Sequence, residues 1–228
     1  MLFRDIQEKS IWPKSLVAAA LVLAIMVSAD ILFGNRLGIG LWQNPYRGNG
    51  DALRDAMLMA CLVIYVSRVM VTLFVFFRRV MYWREALLIA NVMPWCLVYI
   101  AIYGARQVAP IGLLEVFGAL LFGFGCYLNS AGELARHRWK QEAANAGRLY
   151  TEGLFSHIRH VNYSGDIVLF SGLALVAHQF GLLLIPASMA FFFLLVLAPL
   201  KERYLGRKYG QAYTDYALRT KMLIPKVL

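Results

Sequence analysis

Long, nearly uncharged apolar blocks dominate the chain, at residues 15–33, 56–77, 86–103, 108–128, 167–177 and 182–200. Their continuity is the tightest constraint on the fold, because most are near the length needed to cross a hydrocarbon core of roughly 30 Å. Lipid offers the backbone no hydrogen-bond partners, so such a segment must satisfy its amides internally as a helix. A membrane barrel would instead need many alternating segments of about ten residues. The expected fold is therefore an all-α integral membrane protein of about six transmembrane helices, with a cytoplasmic polar loop and a C-terminal tail. Composition agrees: 60% of residues are hydrophobic and 16% charged, outside the range of a soluble domain. The fifth block is short and joins the sixth through residues 178–181 without a full charge, which predicts a tight helical hairpin.

A net charge of +10 on a soluble chain would suggest nucleic acid. Here the placement matters more than the sum. One side collects Arg4, Lys9, Lys14, Arg78, Arg79, Arg84, Arg136, Arg138, Lys140, Arg148, Arg159 and the basic tail from Lys201. The other side has Arg36, Arg47, Arg54 and Arg106. The positive-inside rule then puts both termini in the cytoplasm, with a bacterial inner membrane favoured over the endoplasmic reticulum and no nucleic-acid partner. The first block carries small residues at Val27, Ser28 and Ala29, but the long, mixed-charge segment before it favours a span over a signal peptide. Cys61, Cys96 and Cys126 lie within the blocks without paired spacing and read as small buried residues. No metal site and no glycine-rich phosphate loop is expected.

Two regions follow: residues 1–128, holding four spans, and residues 129–228, holding the polar loop, the hairpin and the tail. The stretch 129–166 is the only long polar one. Its first part, to about Ala144, extends the fourth helix, and Gly147 and Gly153 permit turns. Asn129 and Glu133 share a helix face, Arg136, Arg138 and Lys140 follow, and Arg159, His160, Asn162, Tyr163 and Asp166 close the run. Guanidinium forks suit phosphate oxygens, while amides and carboxylates suit ribose hydroxyls or a carboxamide. Attraction to anionic lipid headgroups is the plainer account of Arg136, Arg138 and Lys140.

Within the spans, Asp30 and Glu115 stand near block ends, where interfacial water is expected to solvate them. Arg68 is deep in its block and calls for an interior carboxylate or a substrate carbonyl. Arg68 and Tyr65 are the catalytic candidates. Phe191, Phe192 and Phe193 read as lipid-facing or packing surface, and Gly118, Gly123 and Gly125 as sites of close helix packing.

The run Gly153, Leu154, Phe155, then Arg159, His160, Val161, Asn162, Tyr163, Ser164, Gly165, Asp166 resembles the signature of the membrane steroid 5α-reductase and sterol reductase-like (DUF1295-type) family. That family sits in a superfamily that includes isoprenylcysteine carboxyl and phospholipid methyltransferases, which share Arg-His-Pro-x-Tyr. Val161 where proline is usual, and Asn162, lean toward the reductases. In the tail, Glu202, Tyr204, Leu205, Lys208, Tyr209, Gly210, Tyr213, Tyr216, Arg219, Thr220, Ile224 and Pro225 resemble a pattern that the methyltransferases match equally well.

The resemblance implies hydride transfer from NADPH to a carbon–carbon double bond of a steroid-like or other apolar lipid drawn from the bilayer. It assigns Asn129, Glu133, Arg159, Asn162, Tyr163, Asp166 and Tyr204 to the cofactor; Arg136 and Arg138 join them as cations suited to its phosphates, and His160 and Glu202 as further cofactor candidates. The glutamine–glutamate pair of the steroid reductases has no match here. The alternative implied is an S-adenosylmethionine-dependent methyltransferase with His160, Tyr163 and Glu202 at its cofactor. A second alternative is a lipid- or sterol-binding membrane protein without turnover.

Overall fold

The computed structural model describes residues 10–37, 45–77 and 79–224. Arg4, Lys9, Arg78 and Pro225 lie outside them, as does the side chain of Arg36. Among the described residues the elements are helical, with one isolated parallel bridge between Ile158 and Lys221. The helices are α1 (Ile11–Leu37), α2 (Ala52–Val71), α3 (Trp83–Gly104), α4 (Leu113–Trp139), α5 (Val161–Val176), α6 (Leu184–Phe192), α7 (Ala198–Tyr209) and α8 (Gln211–Arg219). A π-helical turn, Thr72–Phe76, continues α2, and another, Phe193–Leu197, joins α6 to α7.

The chain is a multi-pass membrane protein, and among the described residues five helices are long and apolar enough to cross a bilayer: Ile11–Asn35, Ala52–Phe76, Trp83–Gly104, Leu113–Trp139 and Phe180–Tyr209. The expectation was about six, and the difference lies in the fifth apolar block. Helix α5 has 16 residues and rises only about 24 Å, short of the hydrocarbon thickness. It also begins earlier than its apolar block, so Asn162, Tyr163 and Asp166 ride on its first turns and not in a loop. Helix α4 stops at Trp139, five residues before the expected Ala144. The turns at Gly147 and Gly153 occur as expected, with φ of +74° and +57°.

The chain divides into two compact units. One holds residues 6–122 and 170–185. In it α1 packs chiefly on α3 and also on α2, burying Leu21, Leu58, Leu62 and Leu97. Asp30 and Glu115 are not solvated as expected but buried and paired. Arg47 Nη2 lies 2.6 Å from Asp30 Oδ1. Arg54, with 0% exposure, donates to Glu115 Oε1 at 3.0 Å and to the carbonyls of Gln107 and Ala109 at 3.0 and 2.7 Å. His178 Nδ1 also meets Glu115 Oε1. The connections 105–112 and 177–180 close over these helix ends, and a charge covered that way needs a partner.

The other unit holds residues 123–169 and those from 186 onward. Its core is Leu128, Tyr150, Phe155, Ile158 and Val161. Helices α4 and α5 approach closely there, because a Cβ on Gly125 would lie 2.6 Å from the Gly165 carbonyl oxygen and one on Gly165 would lie 2.5 Å from Asn129 Nδ2. Gly118 makes the same kind of approach to Gly172 in the first unit, whereas Gly123 faces open space.

Two stability outcomes follow. Gly165→Ala should lower thermal stability by about 1–3 kcal/mol through overpacking, measured as a melting shift in detergent. Glu115→Ala strands a buried guanidinium and should cost about 3–5 kcal/mol, whereas Glu115→Gln, which keeps an acceptor oxygen, should cost less in the same assay.

Candidate functional site

Helical spacing puts Asn129, Glu133 and Arg136 on one stripe of α4. Beyond the Gly125–Gly165 contact that stripe meets the first turns of α5. Asn129 Nδ2 donates to Asp166 Oδ1 at 3.0 Å, and Asn162 Nδ2 donates to Glu133 Oε1. The second oxygen of Glu133 accepts from Arg136 Nη2. Two amides and two carboxylates, separated by a long polar stretch of sequence, thus form one ladder across two helices.

Just before α5, Arg159 Nε donates to Glu202 Oε1 at 2.7 Å, and Arg159 Nη1 donates to the carbonyls of Ala217, at 2.8 Å, and Thr220. The backbone N–H groups of Arg159 and His160 donate to the carbonyls of Lys221 and Met222 at 2.8 and 3.0 Å. Ser164 Oγ donates to the Leu223 carbonyl at 2.6 Å, and Tyr216 donates to the Phe155 carbonyl at 2.6 Å. The tail therefore straps the head of α5, supplying acceptors that the helix start cannot find within itself. Burial holds the Tyr213 and Tyr216 hydroxyls well above the usual phenol range, so both stay protonated.

His160 is 2% exposed. Its ring stacks on Tyr163 at 5.0 Å, and Tyr163 stacks on Phe193 at 4.6 Å. Lys201 Nζ lies 5.1 Å from the Tyr163 ring centroid. His160 Nε2 is 3.4 Å from Glu202 Oε1 without hydrogen-bond geometry, and neither ring nitrogen has a hydrogen-bond partner. Burial lowers the His160 pKa below the ordinary imidazole range; the Glu202 carboxylate opposes this, and the Lys201 and Arg159 charges reinforce it. The ring is neutral at pH 7.

Of the expected residues, Asn129, Glu133, Arg136, Arg159, His160, Asn162, Tyr163, Asp166 and Glu202 come together in this unit. Arg138 is exposed on the last turn of α4. The Tyr204 hydroxyl accepts from Lys208 at 3.4 Å on α7. Arg68 and Tyr65 belong to the other unit; there the guanidinium lies 5.2 Å from the Tyr65 ring centroid, and Tyr65 donates to Met93 Sδ at 3.4 Å. Lys201 and Phe193 were not legible as site residues. The adjacency of Lys201 to Glu202 was the available signal, while Phe193 was hidden in an apolar run.

Residues 14–220 match the model of a family described as a protein of unknown function (DUF1295). The chain belongs to the DUF1295 family. This DUF1295 protein is also 36% identical over 77 residues to a probable O-methyltransferase, ustE, of Ustilaginoidea virens. The shared stretch is 34% of the DUF1295 chain and 26% of that relative, so the chain spans about a quarter of the relative's length.

Protonation of the unfolded histidine precedes that of the buried one, because the folded pKa is the lower. Stability of the DUF1295 protein should therefore fall as pH drops below about 6.5, and His160→Gln should flatten that slope in melting curves between pH 7.5 and 5. Arg159→Lys keeps the charge but loses the fork, and hydrogen exchange over residues 211–224 should accelerate.

Proposed function

We propose that the protein is an S-adenosylmethionine-dependent membrane methyltransferase acting on an apolar lipid acceptor, with its site facing the cytoplasm of a bacterial-type inner membrane. The observation that carries this reading is the similarity to a probable O-methyltransferase. The chemistry of the cluster suits such a cofactor. Its amino-acid end presents a carboxylate and an ammonium group, and Arg159 and Glu202 offer the opposite charges. Arg159 Nη2 takes no part in the three bonds that hold the rest of the guanidinium. Both ring nitrogens of His160 and Asn162 Oδ1 are buried without hydrogen-bond partners, an arrangement that a polar ligand relieves. The Tyr163 and Phe193 rings supply an apolar wall.

When bound, the cofactor supplies an electrophilic methyl group on a sulfonium. The chain's own part is to bind, orient and move a proton. Arg159 and Glu202 fix the polar end, the carboxylate of Glu133 suits ribose hydroxyls, and the tail strap keeps water from the head of α5. Neutral His160 can accept a proton at a ring nitrogen from a hydroxyl acceptor; a carboxylate acceptor needs no such step.

A second reading, NADPH-dependent reduction of a carbon–carbon double bond in a steroid-like lipid, draws support from the ladder. Asn129 to Asp166 and Asn162 to Glu133 join the residues that match the reductase signature, and an amide partner suits a nicotinamide.

Thermal stability in detergent distinguishes these. S-adenosylmethionine at a hundredfold excess over its Kd should stabilise the protein by about 2.7 kcal/mol, and Glu202→Gln should reduce that shift. A shift with NADPH alone would overturn the proposal in favour of the reductase, and no shift with either cofactor would favour a lipid-binding protein.

A further inference from the structure

On the face of α4 turned away from the Glu133 ladder, the same unit contains a cavity of about 440 Å³. This lies within the range of roughly 300–1,000 Å³ typical of small-molecule sites. Tyr127, Ala131, Gly132 and Ala135 of α4 line one side, and Tyr150 and Phe155 line the other. Ala131 and Ala135 are each two positions from Glu133, so the cavity floor and the ladder stand about 160° apart around the helix. Residues 127–135 give the cavity a floor about 12 Å long, bare of polar side chains between Tyr127 and Ala135 apart from those that helical rotation carries to other faces.

Tyr150 is the unexplained group. It is 9% exposed, and its ring is clamped between Trp139 at 5.3 Å and Phe155 at 5.5 Å. Its hydroxyl lies 3.4 Å from the point a Cβ on Gly153 would occupy, beside the cavity wall. Among the described residues that hydroxyl has no hydrogen-bond partner. Burial, with the charge of Glu152, raises its pKa, so it is a fixed O–H donor. Ser156 and His157 also line the cavity, but Ser156 Oγ already donates to the Gly153 carbonyl at 2.7 Å. The hydroxyl is not among the buried unsatisfied atoms, so it opens to the cavity, and a donor held at the wall of a concave, mainly apolar site can serve a ligand that carries a matching acceptor. Tyr127 is 57% exposed on a helix able to span a membrane, so an apolar ligand can enter from lipid.

We propose that this cavity binds a single-chain lipid bearing one oxygen function, the chain lying along Ala131 and Ala135 and the oxygen accepting from the Tyr150 hydroxyl. This does not depend on the proposed function: the cavity lining includes none of the residues assigned to the cofactor, and binding itself requires no turnover.

The test uses full-length protein in phosphatidylcholine nanodiscs and two probes, hexadecanoic acid carrying a chain-end diazirine and the matching hydrocarbon without the carboxyl group. After photolysis, the acid should label peptides covering residues 127–135 and 150–157. Tyr150→Phe should raise the half-saturating concentration of the acid about three- to tenfold and leave the hydrocarbon unchanged. Ala131→Phe should remove most of the label, with Ala135→Leu as the substitute if that variant does not fold. Labelling spread over all lipid-facing helices and indifferent to these substitutions would overturn the proposal, as would equal effects of Tyr150→Phe on both probes. Because label is read without methyl donor or NADPH, a failed cofactor titration leaves this result interpretable, and the reverse also holds.

Discussion

Helix α4 passes α5 at Gly125 and Gly165 with so little room that a methyl group on either would strike backbone or amide atoms. The polar ladder depends on that separation. Asn129 reaches Asp166 and Glu133 reaches Asn162 because the two backbones are held at short range; an ordinary side-chain layer would push them beyond the span of an amide and a carboxylate. Close approach of this kind is favoured where lipid surrounds a helix pair, since small residues gain dispersion contacts that lipid tails cannot improve. The bonds then add direction to a contact that by itself would allow sliding.

The same need for matched charge governs buried Asp30, Glu115 and Glu133 and half-buried Glu202. Asp30 has Arg47, Glu115 has Arg54 and His178, Glu133 has Arg136, and Glu202 has Arg159. In a medium of low dielectric an unpaired carboxylate costs several kcal/mol. The net charge of +10 is the surplus left after every acid is counted, so these internal pairs take nothing from it. The partial exception is His160, which stays neutral and keeps two unsatisfied nitrogens beside Glu202. Such groups persist where a ligand completes them.

The apolar blocks, and the residues that the structure gathers around the head of α5, were legible in the sequence for different reasons. A continuous run of Leu, Val, Ile, Ala and Phe has few alternatives to a spanning helix, and five such helices stand among the described residues. Arg159, His160, Asn162, Tyr163 and Glu202 were found through short signatures whose spacing survives without knowledge of the fold. The start of α5 was missed because hydropathy falls at Asn162 and Asp166, and the partners that let these residues sit in a helix are 29 and 37 positions away. The Arg54–Glu115–His178 cluster was missed for the same reason: its members are separated by 61 and 63 positions, and no local pattern reports a covering loop. Lys201 and Phe193 sit at the edge of, and within, an apolar run where composition masks any individual role.

The strap across the head of α5 has a consequence for how the protein is made. Arg159, His160 and Ser164 find their partners in residues 217–223, which leave the ribosome after α6 and α7 have been synthesised. Until then the start of α5 lacks those acceptors, and Arg159 lacks three of the oxygens that orient it. The membrane helices can insert in order of synthesis, but the polar centre matures in a late step. A nascent chain is thus without its assembled polar cluster while its hydrophobic segments are still being threaded into lipid.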